Sequence, residues 1–96
     1  LKNEKKEFVL SKQVLRSGTS IGAMVEEALQ AESQADFIHK LSIANKEANE
    51  TRYWIRLLKD TDFVESNLAD SMNSDCEELI KILVSIIKTT KSKLKK

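Results

Sequence analysis

The residues of this chain best suited to chemistry are few. They are Asp36 and His39, the hydroxyls of Ser17 and Ser20, the thiol of Cys76, and a set of cations that ends in a lysine cluster. Asp36-x-x-His39 sets a carboxylate and an imidazole one helical turn apart. In di-iron bundles such a pair recurs on two helices, joined by further glutamates. Here His39 is the sole histidine. Glu47 and Glu50 follow on the same helix roughly 12–16 Å away at ~1.5 Å rise per residue. One chain does not assemble that metal site, so His39 is expected to serve a polar contact at a helix or subunit junction, with a site shared between chains as the alternative. Nucleophilic catalysis would need His39 as base for Ser17, Ser20 or Cys76, together with an oxyanion hole, and no such element is recognisable. The expectation is a protein that is not an enzyme, with no catalytic residue, cofactor or metal.

The cations offer a different chemistry. Arg16, Lys40, Arg52 and Arg56 are candidate phosphate contacts, and Arg52 and Arg56 stand one turn apart beside Tyr53. From Lys88 to the end there are five lysines (Lys88, Lys91, Lys93, Lys95 and Lys96) and no acid, whereas Asp60 to Glu78 holds seven acids and no base. Helix-dipole matching accounts for acids near a helix start and bases near its end. The functional reading is a basic surface that meets nucleic acid, or an acidic protein. The net charge of +1 makes no global case for either.

These residues must be positioned by helices. There is no Pro and there are only two Gly, so a loop-rich or all-β chain is excluded. Leu10, Val14, Ser17, Ile21, Val25 and Ala28 recur at helical spacing and predict a helix over Val9–Gln30, preceded by a polar, frayed or looped Leu1–Glu7. Gly18 and Gly22 fall inside it and suit a close helix crossing; a phosphate loop would need a preceding strand and a lysine. Phe37, Leu41, Ala44, Ala48, Thr51, Ile55 and Leu58 alternate in steps of four and three and predict a helix over Ser33–Lys59. Ser33 is its expected cap, with Asp36 in the first turn. Thr61–Glu65 is the expected connection, and its shortness turns the next helix antiparallel. Ser74 and Glu77 form a capping box, but the seam Leu68, Met72, Cys76, Leu79, Leu83, Ile86 and Thr90 runs through it. One continuous helix over Ser66–Lys93 is expected.

The core is expected at Leu10, Val14, Ile21, Val25, Phe37, Leu41, Ala44, Ala48, Ile55, Leu58, Leu79, Leu83 and Ile86. Ile38, Ile43, Trp54, Leu57, Ile80 and Ile87 lie off these seams and are expected at edges or subunit contacts. Ninety-six residues make one domain, residues 1–96. The lone Cys76 excludes a disulfide framework, the apolar runs are too short to span a bilayer, and a cytoplasmic setting is expected.

Two strings carry a resemblance: Leu15-Arg-Ser-Gly-Thr-Ser-Ile-Gly-Ala with Glu27-Ala, then Ala35-Asp-Phe-Ile-His-Lys-Leu-Ser-Ile-Ala with Glu47-Ala, Glu50 and Tyr53-Trp. Together they resemble the four-helix-bundle proteins, also called 23S rRNA intervening-sequence proteins, over roughly Lys12–Lys91. Met24 and Asn45 depart locally from that pattern, where Asn and an apolar residue are expected. The resemblance implies an antiparallel up-down four-helix bundle, with most of the first helix preceding residue 1. It also implies likeness to the accessory protein of diversity-generating retroelements, a five-membered ring that binds nucleic acid and a reverse transcriptase. The expected function is therefore a non-catalytic homo-oligomer, a pentamer by preference, that binds RNA or DNA through Arg16, Arg52, Arg56 and Lys88–Lys96. A protein–protein scaffold without nucleic-acid contact is the alternative.

Overall fold

The structure, a computed structural model, describes residues 2–61 and 65–94, with side chains for residues 8–61 and 65–93. It holds three helices in up-down-up order: α1 over Lys2–Leu29, α2 over Gln34–Asp60 and α3 over Ser66–Leu94. The class is all-α, as the periodicities require.

α1 begins earlier than the apolar pattern predicts. Residues 2–7 are helical, because Lys and Glu are good helix formers and nothing there breaks a helix. The turn to α2 is short. The N–H of Ala31 donates to the Ala28 carbonyl at 3.1 Å, and Ser33 caps α2 as expected, its hydroxyl accepting from the Asp36 N–H at 3.0 Å. Replacing Ser33 with Ala should cost about 1 kcal/mol. A urea melt of that variant that overlays the parent would show that the cap does not hold this end. At its other end α2 is closed by Thr61, whose N–H and hydroxyl both donate to the Leu57 carbonyl, at 3.0 and 2.7 Å. Residues 62–64 of the expected connection lie outside the described residues. α3 runs unbroken through Ser74, so the capping box there is not used.

α2 is the central helix. α1 and α3 both pack on it, and the backbones of those two approach each other within 8 Å nowhere among the described residues. The α2 seam is buried throughout at Leu41, Ala44, Ala48, Thr51, Ile55 and Leu58. Thr51 fits this apolar seam because its hydroxyl donates to the Glu47 carbonyl at 2.8 Å. Ile21 and Ala28 of α1 and Leu83 and Ile87 of α3 join it in one cluster, flanked by Met24, Val25, Phe37, Ile38, Leu79 and Ile80. Leu10 and Val14 are half-buried.

α3 departs from its expected seam. Ala69, Leu83 and Ile87 are buried, whereas Ile86 is 38% exposed. α3 is rotated so that its stripe of Ala69, Cys76 and Leu83 meets α2, and this brings Ile80 and Ile87 inward. Those two, and Ile38 of α2, therefore belong to the core, not to a subunit edge. The glycines also differ from expectation. A Cβ added at Gly18 or Gly22 would meet nothing within 4 Å, so no helix among the described residues crosses there.

Candidate nucleic-acid interface

Among the described residues, three ion pairs set the register and decide which cations stay free. Lys40 of α2 meets Glu27 of α1 at 3.1 Å. On the other side of α2, Arg52 meets Glu77 at 3.3 Å and Lys59 meets Asp70 at 2.6 Å. Seven residues forward along α2 thus match seven residues back along α3. Lys46 lies level with Leu83, and Tyr53 with Cys76. All three pairs are partly solvated, so each contributes at most about 1 kcal/mol to stability.

The stripe of α3 that borders α2 changes sign along its length. Asp70 and Glu77 answer Lys59 and Arg52. Lys81 and Lys88 follow in steps of four and seven, on the same side of α3. The α2 residues at their levels are neutral: Ser42, Asn45, Ala48 and Asn49. The acids of α2 lie elsewhere, Asp36 and Glu47 toward α1, Glu50 outward and Asp60 at the far end of the helix. Lys81, Lys88 and Lys91 are exposed and pair with no acid among the described residues.

The outer face of α2 continues this basic half. Ser42, Lys46, Asn49, Tyr53 and Arg56 recur in steps of four and three, and every one of them is exposed. Tyr53 rests edge-on against Trp54, with ring centroids 5.1 Å apart and planes at 69°. Trp54 is half-buried, and its indole N–H is shielded from water with no acceptor among the described residues.

The cations expected to form the site do not all come together. Arg56, Lys88 and Lys91 share the face just described. Lys93 is exposed further round α3 and lines one shallow concavity with Lys88, Thr89 and Ser92. Arg16 is exposed on α1, away from the others. Arg52 does not stand free beside Arg56, because Glu77 holds it half-buried. Lys40 is held by Glu27. Lys95 and Lys96 lie outside the described residues. Lys46 and Lys81 are additions. The step of seven from Lys81 to Lys88 is visible in the sequence, but the register that brings Lys46 between them is not.

Among the described residues, no three acidic, histidine or cysteine side chains gather around one point. His39 is exposed. Cys76 is a free, half-buried thiol. Burial raises its pKa and Asp75 adds to the rise, while Arg52 opposes it, so it is a poorer nucleophile than a free cysteine. No described helix is long and apolar enough to cross a membrane.

A model of the 23S rRNA-intervening sequence protein matches residues 1–85. The chain belongs to that family. A crystal structure of a protein of unknown function from the S23 ribosomal protein family, from Bacteroides thetaiotaomicron VPI-5482, is 60% identical to it. That match has a TM-score of 0.83 and covers 90% of this chain and 77% of the other. No curated protein matches. For this intervening-sequence family member, the helical architecture thus rests on both sequence and structural likeness.

Proposed function

We propose that this protein is a non-catalytic, cytoplasmic, oligomeric helical bundle that binds nucleic acid through the basic half of its α2–α3 face. The observation that carries the reading is the change of sign along α3. Its acids Asp70 and Glu77 are answered by α2, and its lysines Lys81, Lys88 and Lys91 are not. Burial and pairing would consume cations kept for stability; these are held in water, where phosphate can reach them. No helix here offers a row of donors shaped to read base edges, so binding is weakly selective for sequence.

A fourth helix completes the bundle in this reading. Ile21 faces α2, and Leu15, Gly22 and Leu29 stand roughly 100° round α1 from it. Leu83 faces α2, and Ile82 stands roughly 100° round α3 in the opposite sense. α1 and α3 are parallel, so both apolar strips turn to the same side and flank a groove over the α2 seam. Leu15 and Leu29 are 71% and 73% exposed there. The open Gly18 and Gly22 leave room for a helix to approach closely. The family resemblance favours a helix preceding residue 1 as the occupant, and a ring of five as the assembly.

The test is a titration of labelled RNA and DNA at about 50 and 200 mM salt. With about four phosphates neutralised, the single-strand slope is about −2.8, and the fourfold rise in salt weakens binding about fiftyfold. Lys81→Glu with Lys88→Glu should remove binding at the higher salt. Absence of binding at the lower salt would leave the protein–protein scaffold reading, to be pursued by capture of a partner.

A further inference from the structure

We propose that the ligand of this surface is single-stranded nucleic acid, stacked on Tyr53; the inference rests on the basic-face reading above and narrows it. Tyr53 is 56% exposed, on the same outward stripe as Lys46 and Arg56, seven residues back and three forward. Its ring does not lie loose on the helix. The edge contact with Trp54 at 5.1 Å holds it, and Trp54 is itself half-buried.

An exposed aromatic set between cations, with a carboxamide at Asn49, is the pattern that unpaired bases recognise. The ring supplies a π-face, the cations track the backbone, and stacking tolerates any base. A duplex keeps its bases stacked inside and offers Tyr53 only sugar and phosphate. The α2 acids nearby are Glu50, on the side of Tyr53 away from α3, and Asp60, one turn beyond Arg56. On the α3 side Asp70 shares a hollow with Arg56 and Glu77 lies beside Arg52, but each is held by a cation of α2, Lys59 and Arg52 respectively. The line of cations runs from Arg56 through Tyr53 and Lys46 to Lys88. By the α2–α3 register that line spans 15 residue levels, about 22 Å at ~1.5 Å each.

An acidic protein would also be drawn to these cations and to an exposed ring, but it would give no reason for a strand to bind better than its duplex. The test is therefore a comparison of forms. A short labelled RNA strand and the duplex it makes with its complement are titrated by fluorescence anisotropy against the parent protein, Tyr53→Leu and Tyr53→Phe, with the melting of each variant followed by circular dichroism.

The strand should bind at least tenfold more tightly than the duplex. Tyr53→Leu should lose about tenfold on the strand and nothing on the duplex, at unchanged salt slope. Tyr53→Phe should behave as the parent. Equal binding of strand and duplex, or a Tyr53→Leu variant that binds the strand normally, would overturn the stacking site while leaving the basic-face reading intact. Failure of strand and duplex alike to bind at low salt would overturn both.

Discussion

Leu41→Ala should lower the stability of the chain by about 2–5 kcal/mol, read as a lower urea midpoint at an unchanged slope. Leu41 is 3% exposed and lies in the cluster that joins all three helices. Its neighbours along the seam, Ala44 and Ala48, are fully buried and small. Small seam residues let helices sit close, and closely packed backbones collapse poorly into a cavity. The loss should therefore fall well inside that range. For a domain near 100 residues, about 1 kcal/mol corresponds to about 4–8 °C, so the melting temperature drops on the order of 10–30 °C. Ile86→Ala provides the contrast. Both residues sit on expected seams, but Ile86 keeps 38% of its surface in water, and its truncation should cost under about 1 kcal/mol in dilute protein. A Leu41→Ala loss below about half a kcal/mol, or an Ile86→Ala loss as large as that of Leu41→Ala, would mean that the helices are packed on other faces.

That contrast marks where the sequence was legible. α2 has one apolar stripe, and its steps of four and three name the buried residues from Leu41 to Leu58 without ambiguity. A helix packed on both sides has little freedom to rotate. α3 is different. Its apolar residues occupy adjoining stripes, with Leu68, Ile82 and Ile86 on one side, Ala69 and Leu83 in the middle, and Ile80 and Ile87 on the other. Periodicity alone does not choose the part of so wide an arc that meets a neighbour. The ion pairs Arg52–Glu77 and Lys59–Asp70 accompany the rotation observed, and both join residues of different helices. The same limit applies to the candidate site. The sequence marked Arg56 and the α3 lysines, but it could not say that Glu77 would occupy Arg52, nor that Lys46 would lie between Lys81 and Lys88. The glycines make the point in reverse. Their smallness suits a close approach, yet no helix among the described residues makes it.

The uncovered side of the layer leads to the second large effect. Leu15, Leu29, Leu68, Ile82 and Ile86 are all exposed, by 38–73%. Covering such a side chain fully stabilises by about 1.5–3 kcal/mol. The protein is therefore expected to associate with itself at tens of micromolar through these side chains, and sedimentation equilibrium should show species larger than a monomer. Leu15→Glu combined with Ile82→Glu sets one carboxylate on each wall of the groove. Removing a carboxylate from water without a partner costs several kcal/mol, so association through this face should weaken more than a thousandfold. The helix signal should hold, because both positions are exposed in the single chain and such substitutions usually shift stability by no more than about 0.5 kcal/mol. A parent chain that sediments as a clean monomer would remove the expectation of self-association. A double variant that still associates would place the contact on another face, and the outward stripe of α2 around Tyr53 would then be the surface to probe, since an interface there would compete directly with nucleic acid.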